Sequence, residues 1–245
     1  MTKDGRPSRI NDIRYFHGDV HSYLEGHHEE VAFGRRLAWF LNGEGLSLGT
    51  YPALYIFFTQ SIEPGATKVT DYGGDWWQRY THFGVTADFP NTPESGKQIK
   101  RGTIAALTAV RPENKQTIEN AAKIVQVHKD KLRFLLKTRS TKRFRTEISF
   151  NIAAGREPSS LFVSLTDLSS GDFLEAAPIP LRFYFDAFDL TGSIKITAST
   201  ATLAPNHSVG AKLASLHHGG PLVRAISEFS LSERPVMSQL ISRRG

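Results

Sequence analysis

The stretch that decides the fold runs from Lys131 to Ile152 and reads KLRFLLKTRSTKRFRTEISFNI. Two runs with apolar residues at alternate positions flank the polar Arg139-Ser140-Thr141-Lys142. In the first run Leu132, Phe134 and Leu136 share a face, with Arg133 and Lys137 opposite. In the second, Phe144, Ile148, Phe150 and Ile152 share a face, with Arg143, Arg145 and Glu147 opposite. A period of two is that of a half-buried β-strand. Two such strands joined by a short polar turn pair antiparallel, because a parallel pair needs a long crossover. The apolar face has to be the core face, since an unpaired buried arginine costs on the order of several kcal/mol. This reading puts Arg133, Lys137, Arg143 and Arg145 on an open face.

Hairpin spacing continues outward from this segment. Leu161 to Leu168 reads as a strand followed by the turn Ser169-Ser170-Gly171-Asp172. Leu181 to Phe188 and Ser193 to Thr200 flank Asp189-Leu190-Thr191-Gly192. Toward the start, Ile13 to Phe16 reads as a short strand. Glu29 to Leu41 reads as a helix with Phe33, Leu37 and Leu41 on one face, stopped by Asn42-Gly43. Ala53 to Gln60 is a buried strand, Tyr72-Gly73-Gly74-Asp75 a turn, and Trp76 to Val85 an aromatic strand. Phe89 to Gly102, with Pro90, Pro93 and Gly96, reads as a loop. Arg111-Pro112-Glu113 opens a helix striped by Ile118, Ala121, Ala122 and Val125 that ends near His128. The class is α+β and strand-rich, with antiparallel sheets from consecutive hairpins and two or three helices. Two divisions stay open: one domain over 1–245, or a mixed α/β part (1–130) followed by a β-hairpin part (131–245).

The chain has 245 residues, 40% of them hydrophobic and 22% charged, which is the balance of a folded protein. It has no cysteine, so disulfides, iron–sulfur clusters and thiolate zinc sites are excluded. That fits a reducing compartment, and the first thirty residues show no basic region followed by an apolar one; a cytoplasmic location is expected. The longest apolar clusters, such as Leu54 to Phe58, are far too short to span a bilayer.

Thirty Lys and Arg against 24 Asp and Glu give a net charge of +6, which suits an acidic partner. Between Lys129 and Arg145 the cations are Lys129, Lys131, Arg133, Lys137, Arg139, Lys142, Arg143 and Arg145, with Asp130 the one acid. From Phe150 to Thr191 the balance inverts. Such a run is either a docking surface or a solvated sheet face whose charges pair across strands. On the docking reading, Arg133, Lys137, Arg143 and Arg145 steer an acidic partner, while Phe162 and Tyr184 supply contact area from outward strand faces. A nucleic acid is the alternative partner for the same patch. Single-strand binders need exposed aromatics beside the basic groove, and Phe134 and Phe144 fall on the core face.

His17, Asp19, His21, Glu25, His27, His28, Glu29 and Glu30 form a histidine-rich segment with residue types that ligate zinc, manganese or iron. Gly18-Asp19-Val20-His21 resembles the first metal-binding motif of calcineurin-like metallophosphoesterases. Gly74-Asp75 resembles the start of their second motif, Asn206-His207 their third, and His217-His218 a later pair. This resemblance implies a metal-dependent hydrolase with Asp19, His21 and His207 among its ligands. Gln78 and Ser208 depart from the pattern where further ligands belong. No nucleophile elbow, phosphate-binding loop or dinucleotide fingerprint is present. In general character (the basic hairpin, the acidic stretch after it, no competing motif) the chain resembles immunity proteins of bacterial polymorphic-toxin and contact-dependent growth inhibition systems. That resemblance implies a non-catalytic intracellular protein with no cofactor, which neutralises a cognate toxin domain by binding it.

Overall fold

Ala53–Thr59 is apolar from Ala53 to Phe58 and not only at alternate positions, the pattern of a strand covered on both faces. In the computed structural model, which describes residues 8–70, 77–155 and 157–239, all seven of its residues are buried. The chain forms two compact units that meet in sequence between Lys129 and Asp130.

The N-terminal unit runs β1 (Asp12–His17), α1 (His28–Gly43), β2 (Ala53–Thr59), β3 (Thr67–Thr70), β4 (Gln78–Gly84), α2 (Ser95–Val110) and α3 (Lys115–His128). Its sheet has the order β1-β2-β4-β3; β1 and β4 run parallel to β2, and β3 is antiparallel to β4. α1 is the crossover that the parallel β1–β2 pair requires. Phe16, Tyr55, Phe57 and Tyr80 cluster on one face, with Phe16 and Phe57 stacked at 5.0 Å between centroids. On the other face, α2 lies so close that a Cβ at Gly102 would come within 2.6 Å of Phe58 and 2.9 Å of Phe83. A Cβ at Gly34 of α1 would fall 1.8 Å from Tyr15 Oη. That hydroxyl is hydrogen-bonded to Thr103 Oγ1 at 3.0 Å, and burial pushes its pKa up.

The segment read as a loop, Phe89 to Gly102, is helical from Ser95 onward. Its glycines look like breakers, each costing about 1 kcal/mol in a helix, yet Gly102 is what admits α2 to the sheet. The Tyr72-Gly73-Gly74-Asp75 turn and Trp76 lie outside the described residues.

The C-terminal unit runs β5 (Phe134–Ser140), β6 (Phe144–Phe150), β7 (Ser160–Asp167), β8 (Phe173–Glu175), β9 (Ile179–Pro180), α4 (Asp186–Leu190), β10 (Ser193–Ile196), β11 (Thr200–Ala204), α5 (Val209–His217), β12 (Leu222–Ala225) and β13 (Ser230–Leu231). One sheet has the order β13-β8-β7-β6-β5, with β9 also on β7; a second is β10-β11-β12. Every strand pair here is antiparallel, and the hairpin of the deciding stretch forms with Phe134 facing Phe150. β5 carries a bulge between Leu135 and Lys137 and runs on through Arg139 and Ser140, both expected in the turn, so the turn itself is shorter than expected. The α+β class therefore holds, with five α-helices among the described residues rather than two or three.

Leu181 to Phe188 is not a strand. It turns into α4 because local side chains take the backbone groups that a ladder would need. Asp186 Oδ2 accepts from the Phe183 amide at 3.3 Å, and Thr191 Oγ1 donates to Ala187 O at 2.7 Å. The hairpin in this region is β10–β11 instead. Among the described residues, no helix is long and apolar enough to cross a membrane.

Candidate functional site

Alternation places Arg145 and Glu147 on the second face of β6, beside Thr166 and Ser164 of β7. Ser164 in turn faces Glu175 of β8. This face is not open, because the chain after β13 crosses it. The Ser232 amide donates to Phe173 O at 3.0 Å, Arg234 reaches Glu147 Oε2 at 2.8 Å, and Met237 bridges to Arg133. Beneath this strap the Glu147 side chain is only 3% exposed.

The four hairpin cations divide accordingly. Arg133 forks onto the Glu175 carboxylate and lies 3.7 Å over the Phe162 ring. Lys137 Nζ donates to the carbonyls of Thr191 (2.9 Å) and Gly192. Both are only partly exposed and are spent inside the unit, not on the open face expected of them. Arg145 pairs with Glu147 Oε1 at 3.1 Å and remains half-exposed. Arg143 is 71% exposed, stands 4.6 Å over the Phe144 ring and reaches Asp167 at 3.3 Å. Hydrogen bonds from Ser169, and then Arg143, hold the Asp167 carboxyl down at about 2.

The expected contact aromatics are also covered. Phe162 is buried under Arg133, and Tyr184 is buried against Phe150, their planes 8° apart. Their neighbours are the open ones: Phe183 and Phe185 are each 52% exposed. Their rings stack at 5.9 Å with an interplanar angle of 17°, and Arg182 stands 4.9 Å over Phe183. Tyr184 pins this segment to the Phe150 end of β6, while Arg143 and Arg145 belong to the opposite end. Six residue steps at ~3.4 Å put the two ends roughly 20 Å apart, so cations and open aromatics do not form one patch. Sequence reasoning misses Phe183 and Phe185 because it makes Leu181 to Phe188 a strand with Tyr184 outward, whereas the segment is a turn leading into α4.

The histidine-rich segment is no continuous helix. His17 ends β1, Gly18 turns at φ +75°, and Tyr23 bridges back to Phe16 before α1 begins at His28. His21 sits edge-on to Phe16 (5.0 Å), Phe57 (5.3 Å) and Tyr80 (5.8 Å). Asp19 is held below the usual carboxylate range by hydrogen bonds from Ser61 and Thr59. Ser61 thus donates its proton to a carboxylate rather than to a histidine base, which is not the arrangement of an activated nucleophile. Burial lowers the pKa of His82, and its Nδ1 has no hydrogen-bond partner among the described residues. His207 lies in the C-terminal unit, exposed, where Asn206 donates to Phe188 O and Ser208 caps α5. Among the described residues no group of three His, Asp or Glu side chains is placed to hold a metal ion. Gly74-Asp75 lies outside them.

Comparison with models of protein families, with curated proteins and with solved structures finds no match to this chain.

Proposed function

We propose that this chain is a non-catalytic binding protein whose partner is another protein, met through Phe183, Phe185 and Arg182. The observation that carries the reading is the stacked, half-open phenylalanine pair. Aromatic rings and arginine are the residue types that concentrate binding energy at protein interfaces. A phenylalanine carries roughly 150–250 Å² of surface. Covering the open half of each ring at ~25 cal/mol per Å² is worth about 2.5 kcal/mol per residue. The cation over Phe183 favours an acidic rim on the partner. This is the binding mode of an immunity protein on its toxin domain, in the reducing cytoplasm that a cysteine-free chain suits.

The experiment is a pull-down from the cells that make the protein, run in parallel with Phe183→Ala/Phe185→Ala. A stoichiometric partner held by the native chain should lose about 2–4 kcal/mol with the double variant, roughly 30- to 1,000-fold in Kd. Equal capture by both would place the interface elsewhere. The same open rings favour a second reading, in which bases of a single strand stack on them. That reading requires binding that collapses with salt and shows no preference among sequences.

A further inference from the structure

We propose that the cleft among α1, α2 and α3 binds a phosphorylated small molecule of nucleotide size. The cleft encloses about 420 Å³, within the usual range for small-ligand sites. Its rim carries four cations, Lys97, Lys100, Arg101 and Lys129, against one carboxylate, Glu29. Phe33 and Val125, both almost fully buried, give it an apolar floor.

The charges do not cancel locally. Glu29 is already engaged from behind by Arg36 at 3.0 Å, a fully buried side chain. Lys100 shares Glu30 at 3.5 Å. Lys97 touches Glu94 at 3.0 Å, but both are largely in solvent, where such a pair exchanges easily. Arg101 and Lys129 form no ion pair among the described residues. A ligand with several anionic oxygens can draw on all four cations, with Arg101 offering the forked donor geometry that phosphate matches. A ring attached to it would lie against Ile104, the partly exposed apolar side chain of the lining, above the buried Phe33 and Val125.

Lys129 supplies a second, independent reason. It ends α3 at φ +47°, ψ −127°, the one non-glycine with positive φ among the described residues. Its amide closes the helix onto Val125 O, a task that glycine performs without strain. A lysine at this position gains the fold nothing that glycine would not give. What it adds is a cation on the rim of the cleft, and strain kept at one residue is a mark of binding sites.

The test is calorimetric titration of the full chain with ADP, with inorganic pyrophosphate and with adenosine. The native protein should bind ADP and pyrophosphate competitively, and adenosine more weakly by at least tenfold. Arg101→Ala and Lys129→Gly should each weaken ADP at least fivefold, while Lys129→Gly leaves Tm unchanged or raises it. Failure of both ADP and pyrophosphate to bind at millimolar concentration would overturn the proposal. So would ADP affinity in both variants equal to that of the native chain, or a hexaglutamate peptide binding where ADP does not. The outcome is separable from the protein-binding reading, because Phe183→Ala/Phe185→Ala should leave ADP binding intact.

Discussion

Replacing Arg234 by alanine should loosen the strap that closes the second face of β6, β7 and β8. Arg234 Nη1 donates to Glu147 Oε2 at 2.8 Å, Nη2 to Thr166 Oγ1 at 2.8 Å, and the guanidinium lies 4.7 Å over Phe173. A hydrogen bond to a charged group is worth about 1.5–3 kcal/mol. Arg234 is 47% exposed, so the lower end applies. The ring contact adds about 0.5–1 kcal/mol. Glu147 is left buried but not orphaned, because Arg145 stays at 3.1 Å. The expected loss is therefore about 2 kcal/mol, or roughly 8 °C in the Tm of a unit of this size. Hydrogen exchange gives the local readout. The Arg133 amide, bonded to Val236 O at 3.1 Å, and the Ser238 amide, bonded to Arg133 O at 2.9 Å, should exchange faster. The Ile148 amide in the middle of the sheet should not. An unchanged Tm together with unchanged exchange at Arg133 and Ser238 would refute the strap. The row Glu147–Ser164–Glu175, with Arg133, would then return as a docking face.

Three further outcomes follow from the geometry. Gly34→Ala should destabilise the N-terminal unit by up to about 2 kcal/mol in urea unfolding. Overpacking against Tyr15 costs about 1–3 kcal/mol and the helix regains about 1, so adding Tyr15→Phe, which deletes the clashing oxygen, should restore part of the loss. Asp167 has a folded-state pKa of about 2, below the ordinary 3.8, so its contribution is full above pH ~4 and is lost as the pH falls toward 2. Asp167→Asn should accordingly show a smaller drop in Tm between pH 5 and pH 2. Arg143→Glu/Arg145→Glu should slow association with an acidic protein partner by less than tenfold in a salt-dependent way, by long-range steering and not by contact; an unchanged on-rate would mean that the hairpin tip does not steer the partner.

The elements that could be read from sequence are those whose signal is local. The β5–β6 hairpin declared itself through alternation around a polar turn, and α3 through Pro112 and its apolar stripe. α2 was hidden because Gly96 and Gly102 resemble loop residues, although Ile99, Thr103, Ala106 and Leu107 keep helical spacing and are all buried. The parallel pairing of β1, β2 and β4 was hidden for another reason. A strand covered on both faces, such as β2, shows no alternation, so its sequence says that it is central without saying which way its neighbours run.

The site was harder to read than the fold because alternation assigns a residue to a face but not what covers that face. Arg133, the residue before β5, and Glu147 of β6 lie on the face opposite the core side chains. What made that face interior is a strap more than 80 residues away in sequence from Glu147, as the spacing of the Arg234–Glu147 hydrogen bond (87 residues) shows. The penalty for burying an arginine does not forbid such an arrangement; it demands a partner, and Glu175 and Glu147 meet that demand. The same step explains the aromatics. Phe183-Tyr184-Phe185 is a turn leading into α4 and not a strand, so alternation does not decide which ring is covered; packing does. Tyr184 finds Phe150, so Phe183 and Phe185 are turned outward, and contact area appears about one strand length away from the exposed cations.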